Sequence, residues 1–430
     1  MKNFKRTLAA ILAACALLNL TGCSEKESAG RADDLVIGSG AADGGNTSGG
    51  GAQITKPQYA PIALTDSNTE NSIRLFDAIS ADKKNAMFSP ISLNMALGLI
   101  EAGADGDTRT ALDSYLQTEN FADFARSYMQ LAKDKYTFKS EYKNRKNVLE
   151  IANSFWADHA LPLNTDYKQI VSDMFDAEIQ SVDFSNKNKT LGKINGWVND
   201  KTHKMIPSIL SDYSEDTAAV LINTIYFESA WSDEWHINTD NKESFTLTDG
   251  TTKELPLMYN GGDSYFENDK ATAFSSRYVN GLEFIGILPK ESGEFTLESL
   301  DIPSLLESET WDYDVSAVMP RFTFDTAFGL KDALCAAGLD VIFDENKADF
   351  SGISDVDLWV SEILQKTRIE LDENGTRASA ATAVILDTNS AMPEPRERKT
   401  VRLDRPFAFM IYDAEQDQIL FMGKVTELDG

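Results

Sequence analysis

The sequence predicts an α+β fold, and three features lead there. Runs of β-branched and aromatic residues such as "TAAVLINTIYFESAW" read as strands buried on both faces. Apolar or amphipathic stretches with capping signals read as helices. The two kinds come in runs rather than in strict strand–helix alternation, which sets the pattern apart from a doubly wound sheet. With 430 residues, 42% hydrophobic and 10% aromatic, the chain can bury a large core.

The elements follow in order. "FSPISLNMALGLI" offers Ser89 as N-cap and Pro90 at the first helical position, ahead of a largely apolar helix. "LGKINGWVNDKTHKMIPSIL" reads as an amphipathic helix that ends before Pro207. "LEFIGILP" and "VSAVMPRFTF" read as strands, and "TAFGLKDALCAAGL" as a helix stopped by Gly338. "FAFMIYDAEQDQILFMGKV" reads as two strands around an acidic turn. No internal repeat and no second linker divide residues 61–430, which are expected to form one domain.

The first 60 residues are of a different kind. "MKNFKRTLAAILAACALLNLTGC" has Lys2, Lys5 and Arg6 before an apolar run from Leu8 to Leu20, the pattern of a secretory leader. Leu20-Thr21-Gly22-Cys23 resembles a bacterial lipobox, which implies removal of residues 1–22 and lipid attachment at Cys23. Residues 23–60 contain "GSGAADGGNTSGGGAQ", a composition too poor in apolar side chains to fold, and read as a flexible tether. Such a tether spans roughly 30 Å on average. The chain is expected to be exported and held at a bacterial cell or outer membrane, its domain extracellular or periplasmic.

Charge and residue counts exclude several functions. A net charge of −28, from 40 Lys+Arg against 68 Asp+Glu, disfavours nucleic acid and anionic lipid surfaces as partners. Three histidines (His159, His203, His236) and three cysteines (Cys15, Cys23, Cys335) show no metal-ligand spacing and no CxxC pair. No G-x-S-x-G or H-E-x-x-H motif occurs. Neither an enzyme nor a cofactor is expected.

Six segments together resemble the serpin family over residues 65–430. They are "FSPISLNMALGLIEAGADGDTRTAL", "LNTDYKQIVSDMFDAEIQSVDF" with "INGWVNDKTHKMI", "AAVLINTIYFESAW", "KADFSGIS", "ELDENGTRASAATAV" and "RPFAFMIYDAEQDQILFMGKV". The resemblance implies three β-sheets, about nine helices and an exposed reactive-centre loop near the C-terminus of a monomer. It also implies suicide inhibition: a protease cleaves the loop, which then inserts as a strand into the largest sheet, dragging the acylated protease with it. Loop insertion of this kind is a known case of strand addition and stored-strain release. Carried onto this chain, the shutter residues are Ser89, Ser92 and Asn223, and the breach residue is Trp231. At the position where the family has a shutter histidine, this chain has Gln365. A neutral amide network that joins Gln365 to Ser89, Ser92 and Asn223 is the expectation, without a titratable group.

The loop "ELDENGTRASAATAVILDTNSAMPEP" is written for insertion. From the hinge residues Glu373 and Gly375 onward, period two places Thr376, Ala378, Ala380, Thr382, Val384 and Leu386 on the core-facing side. Arg377, Ser379, Ala381, Ala383, Ile385 and Asp387 fall on the other, so both charges point outward. Arg377 replaces an acidic residue common in the family, and little consequence is expected of it there. Family spacing from Glu373 puts the reactive bond at Asn389–Ser390, with Thr388–Asn389 and Ser390–Ala391 left open. These residues favour an elastase-like or subtilisin-like serine protease, and a cysteine protease stays open. The rival reading is a non-inhibitory, serpin-like surface binding protein.

Overall fold

The protein is described here from a computed structural model, which covers residues 6–13, 66–117, 121–139, 146–214, 217–377 and 396–428. The leader–tether boundary at Cys23, the loop from Ala378 through Ala380, Ala381 and Thr382, and the bond at Thr388, Asn389 and Ser390 lie outside the described residues.

The chain folds in this order. A strand at Arg6–Ala13 (β1) is followed by α1 (Asp66–Ser80), β2 (Asn85–Phe88), α2 (Pro90–Glu101), α3 (Gly106–Leu116) and α4 (Phe121–Leu131). Next come β3 (Lys146–Asp158), α5 (Thr165–Phe175), β4 (Glu178–Val182), α6 (Lys187–Lys201) and β5 (Thr217–Ala230). The second half runs β6 (Ala271–Arg277), β7 (Glu283–Pro289), β8 (Asp314–Pro320), β9 (Phe322–Gly329), β10 (Leu358–Asp372) and β11 (Gly375–Thr376). It closes with β12 (Arg398–Arg402), β13 (Phe407–Asp413) and β14 (Gln418–Val425).

With the shorter strands His236–Ile237, Leu257–Gly262 and Tyr265–Glu267, and the ribbon Glu243–Thr246 with Thr252–Leu255, the strands form three larger sheets and one two-stranded ribbon, with eight α-helical segments, among the described residues. The largest sheet has eight strands: β9 pairs with β10, β5 with β3, and β3 with β4 and the short strand Phe138–Lys139. Between β10 and β5 a strand-wide slot is filled from two directions. β11 enters it antiparallel to both neighbours, and β1 lies in it parallel to both. Part of the stretch expected to be a leader, Arg6–Ala13, is thus paired within the large sheet.

Burial explains why these elements form. All of α2 is buried, beginning with the Ser89 cap and Pro90, and its apolar circumference packs against β5 on one side and β14 on the other. Each of Leu93, Leu97 and Ile100 contributes about 1.5–3 kcal/mol by leaving water. On the opposite face of the large sheet, α6 lays Ile194 and Val198 against Val220, Ile222 and Tyr226 of β5, with Leu364 of β10 packed alongside. The slot therefore has α2 beneath it and α6 above it.

Two boundaries differ from expectation. The helix expected over "TAFGLKDALCAAGL" is mostly something else: its first residues end β9, where alternating burial and the pairing Gly329↔Leu364 keep the backbone extended. Only Lys331–Leu334 is α-helical, followed by a wide turn in which Gly338 takes a φ of +94°. The helix α6 stops at Lys201, six residues before Pro207. His203 and Lys204 there adopt left-handed backbone, at φ of +49° and +68°, which ends the helix without a proline.

Candidate insertion slot, shutter and hinge

Gly375 explains how the hinge enters the sheet. Its φ is +146°, and a Cβ at this position would lie 2.2 Å from the Ser229 carbonyl oxygen. Only glycine fits that close approach. The ladder Asp372↔Gly375 and Leu371↔Thr376 on one side, with Gly375↔Ala230 and Thr376↔Ser229 on the other, seats β11 between two strands. Thr376 is 4% exposed, and its hydroxyl shares a 2.6 Å hydrogen bond with Tyr278. Its core-facing orientation agrees with the expected register. Burial pushes the Tyr278 phenol upward, so it stays a neutral hydrogen-bonding partner.

Trp231 closes the end of the slot above the hinge. Its indole donates to the Asp372 carbonyl at 2.8 Å and stacks on Tyr278 with centroids 4.4 Å apart. Glu373 turns outward and accepts two hydrogen bonds from Arg321, at 2.7 and 2.5 Å. Deeper in, Arg368 is only 4% exposed at its side chain and holds Asp325 at 3.0 Å and Glu370 together. Arg321 and Arg368 were not singled out by sequence. Each is a basic residue within or beside an apolar strand, the one signal that could have marked them.

The shutter residues meet at the middle of the slot. Ser89 donates its hydroxyl to the Leu420 carbonyl at 2.7 Å and caps α2. Gln365 is 1% exposed; its amide oxygen accepts from Ser89 N at 2.9 Å, and its NH₂ donates to Ser89 O at 3.0 Å. Ser92 donates to Asn223 at 2.5 Å, Asn223 donates to Asn153 at 2.6 Å, and Asn153 donates to the Phe175 carbonyl at 2.7 Å. The expected neutral network is therefore present but divided. Gln365 grips the Ser89 backbone and does not touch Asn223, because the slot separates β10 from β5. Asn153 is the residue that sequence reading missed; an Asn inside the apolar run "EIANSFWAD" was its signal.

Arg377 corrects an expectation. It was placed on the outward face with little consequence, and the face is as expected, but its side chain is engaged. Nη2 donates to the His203 carbonyl at 3.1 Å, and the guanidinium carbon lies 5.1 Å from the centre of the Tyr226 ring. The outward face here is covered by the turn after α6, so a long cationic side chain finds partners. Arg398 opens the returning strand β12, and Arg396 lies just before it.

The slot, the seated glycine hinge and the divided shutter can be compared with known proteins. Residues 66–428 match the family model described as Serpin (serine protease inhibitor). An uncharacterised serpin-like protein of Thermococcus kodakarensis is 32% identical over 363 residues, covering 82% of both chains. Human neuroserpin is 28% identical over 382 residues, covering 82% of this chain and 89% of its own. Among solved structures, the thermophilic serpin tengpin in its native state superposes with a TM-score of 0.72 at 30% identity, covering 84% of this chain and 94% of its own. Serpins are generally protease inhibitors and take proteases as their partners. This chain belongs to the serpin family.

Proposed function

We propose that the chain is a suicide-substrate inhibitor of an endopeptidase outside the cell, a serine protease of elastase-like or subtilisin-like preference. One observation carries the reading: the hinge already sits as β11 between β10 and β5, with Thr376 buried. Continuing that antiparallel register sets Ala378 opposite Ile369 and Phe227, Ala380 opposite Thr367 and Ile225, and Thr382 opposite Gln365 and Asn223. Val384 then meets Ile363 and Leu221. Every inward position receives an uncharged loop residue. Eleven residues inserted this way reach roughly 35 Å.

In the reaction the protease nucleophile attacks the carbonyl carbon of Asn389. An acyl bond to the protease forms, the peptide bond to Ser390 breaks, and the new amine leaves with a proton. Thr388–Asn389 and Ser390–Ala391 are the neighbouring candidates. The freed strand then runs into the slot and carries the acyl-enzyme with it before water can deacylate it. Burial of Val384 and Leu386 contributes about 1.5–3 kcal/mol each, and relaxation of the sheet supplies the rest. Removal of residues 1–22 on export would take β1 out of the slot, and Cys23 would then hold the domain at the membrane through its lipid.

The test is to nick the 378–392 loop with a non-target protease, map the cut by mass spectrometry, and compare thermal unfolding before and after. A midpoint raised by tens of degrees is expected. An unchanged or lowered midpoint overturns inhibition by insertion and leaves a serpin-fold binding protein. Export is tested separately by the intact mass of the mature N-terminus; an unlipidated chain that still begins at Met1 overturns the anchor.

A further inference from the structure

We propose that Arg377 is a positioning residue that latches the seated hinge to the turn following α6, so that hinge and turn open together. The inference rests on the insertion reading above, and four observations carry it.

First, the contacts converge. The Arg377 guanidinium bonds the His203 carbonyl and lies over Tyr226, while the His203 ring packs on the same Tyr226 with centroids 4.3 Å apart. His203 Nε2 in turn lies 3.0 Å from Glu150 Oε2 on β3. One cluster thus ties the loop, the α6 turn, β5 and β3 together. Second, the backbone is strained on both sides of the joint. Arg377, His203 and Lys204 are all non-glycine residues with left-handed φ, at +46°, +49° and +68°. Such conformations persist where surrounding contacts hold them.

Third, Arg377 carries the ladder one residue past β11 in a conformation that is not a strand's. Its N–H bonds the Glu370 carbonyl at 2.6 Å, in register with β11, while its own φ is left-handed, a local kink. For the next residue to pair, Arg377 must adopt extended backbone, and the contacts of its side chain favour the kink. Fourth, Nη1 of Arg377 is buried and has no hydrogen-bond partner among the described residues. The side chain is held by only part of its donor set, which suits a contact meant to release.

The position of α6 gives the latch its consequence. This helix packs across β5 and against Leu364 of β10, over the path that an inserting strand takes. A loop that cannot leave its kink without loosening the α6 turn couples the first step of insertion to the movement of the covering helix.

The experiment is hydrogen–deuterium exchange on the intact, uncut chain. In Arg377→Ala, amides of residues 202–206 are expected to exchange about tenfold faster than in the wild type, and Arg377→Lys is expected to recover part of the protection. The reciprocal variant, Glu150→Ala, lies at a half-exposed site far from the hinge in sequence. It is expected to raise exchange at Thr376 and Arg377 by a similar factor. A purely local role for Arg377 would not transmit from Glu150 to the hinge, so unchanged hinge exchange in Glu150→Ala overturns the latch. The same variant decides the question if Arg377→Ala does not fold. The uncut chain serves throughout, so a failure of nicking to stabilise the protein would remove the inhibitor reading and leave the exchange result standing.

Discussion

The middle and the hinge end of the slot between β5 and β10 are built from opposite chemistry. At the shutter, Ser89, Ser92, Asn153, Asn223 and Gln365 are neutral and no more than 1% exposed. They satisfy one another or a neighbouring backbone group. At the hinge, Arg321, Glu373, Arg368, Glu370 and Arg377 are charged, and several keep contact with water. A buried neutral network is indifferent to salt and costly to interrupt. A half-exposed ion pair such as Arg321–Glu373 is screened and cheap to open, whereas the buried Arg368 is not. On the proposed insertion mechanism, the difference assigns the shutter to holding the sheet together and the hinge to governing when it parts.

The largest break in this arrangement comes from a charge carried into the slot. On the proposed insertion, the register of β11 would carry Ala380 between Thr367 and Ile225, both buried. Ala380→Arg would bury an unpaired guanidinium at a cost of several kcal/mol, enough to stop the strand. The variant is expected to be cleaved normally, to lose the rise in midpoint on nicking, and to turn over as a substrate. Retention of the full rise would show that the loop does not insert in this register.

Next in size is the shutter itself. Gln365→Ala leaves both the N–H and the carbonyl of Ser89 without the amide that serves them. The Ser89 carbonyl keeps its bond from the Leu93 N–H at 3.2 Å, so one buried backbone group, the Ser89 N–H, is orphaned, at a cost of about 1–3 kcal/mol. Urea unfolding of the uncut protein should show it as a lower midpoint at unchanged slope. Gln365→His restores one donor and one acceptor, and introduces a titration near pH 6.5 that the wild-type shutter lacks. A loss below about 1 kcal/mol in Gln365→Ala would mean that Ser89 finds other partners.

Much of this was legible in the sequence, and the remainder was not for identifiable reasons. Strands with one residue pattern per face, such as β5 and the β13–β14 hairpin, declare themselves by run and alternation. The inward orientation of Thr376 followed from period two alone. What sequence could not give was the pairing of residues far apart in the chain. Glu373 meets Arg321 and Thr376 meets Tyr278 only after the sheets form. Arg377 looked inconsequential because an outward face in a strand says nothing about what later covers it, here the turn after α6. The end of α6 was misplaced toward Pro207 because two left-handed residues, His203 and Lys204, leave no compositional mark. Ala327–Gly329 lost to the sheet because pairing with β10 overrides a helix-compatible run.

Away from the slot, pH dependence is carried by carboxyls rather than by the shutter. Glu101, at the end of α2 remote from Ser89, is pushed up to about 7 by burial, against the opposing pull of Arg109. Glu283 is raised to about 7 by burial and by the nearby Glu309. A carboxyl raised in the folded state makes the folded protein bind more protons than the unfolded chain between about pH 4.5 and 7. The stabilisation is therefore complete below about 4.5 and is lost as pH rises through about 7. Stability should fall by on the order of 1–3 kcal/mol per group from pH 5 to pH 8. Glu101→Gln is expected to remove about half of that slope and to exceed the wild type at pH 8. An unaltered slope would assign the dependence elsewhere.

The smallest effect sharpens the contrast most directly. The Arg321–Glu373 pair at the hinge has good two-pronged geometry, yet its side chains are 41% and 26% exposed. Arg321→Ala should cost no more than about 1 kcal/mol at low ionic strength. In 0.5 M salt the Debye length falls to roughly 4 Å, so the variant and the wild type should converge. Gln365→Ala, a neutral lesion, should keep its full deficit under the same conditions. Running both variants across a salt series separates the two regions by one variable. A salt-independent loss in Arg321→Ala would mean that the guanidinium acts by packing against the sheet rather than by charge, and the division between an ionic hinge and a neutral shutter would have to be redrawn.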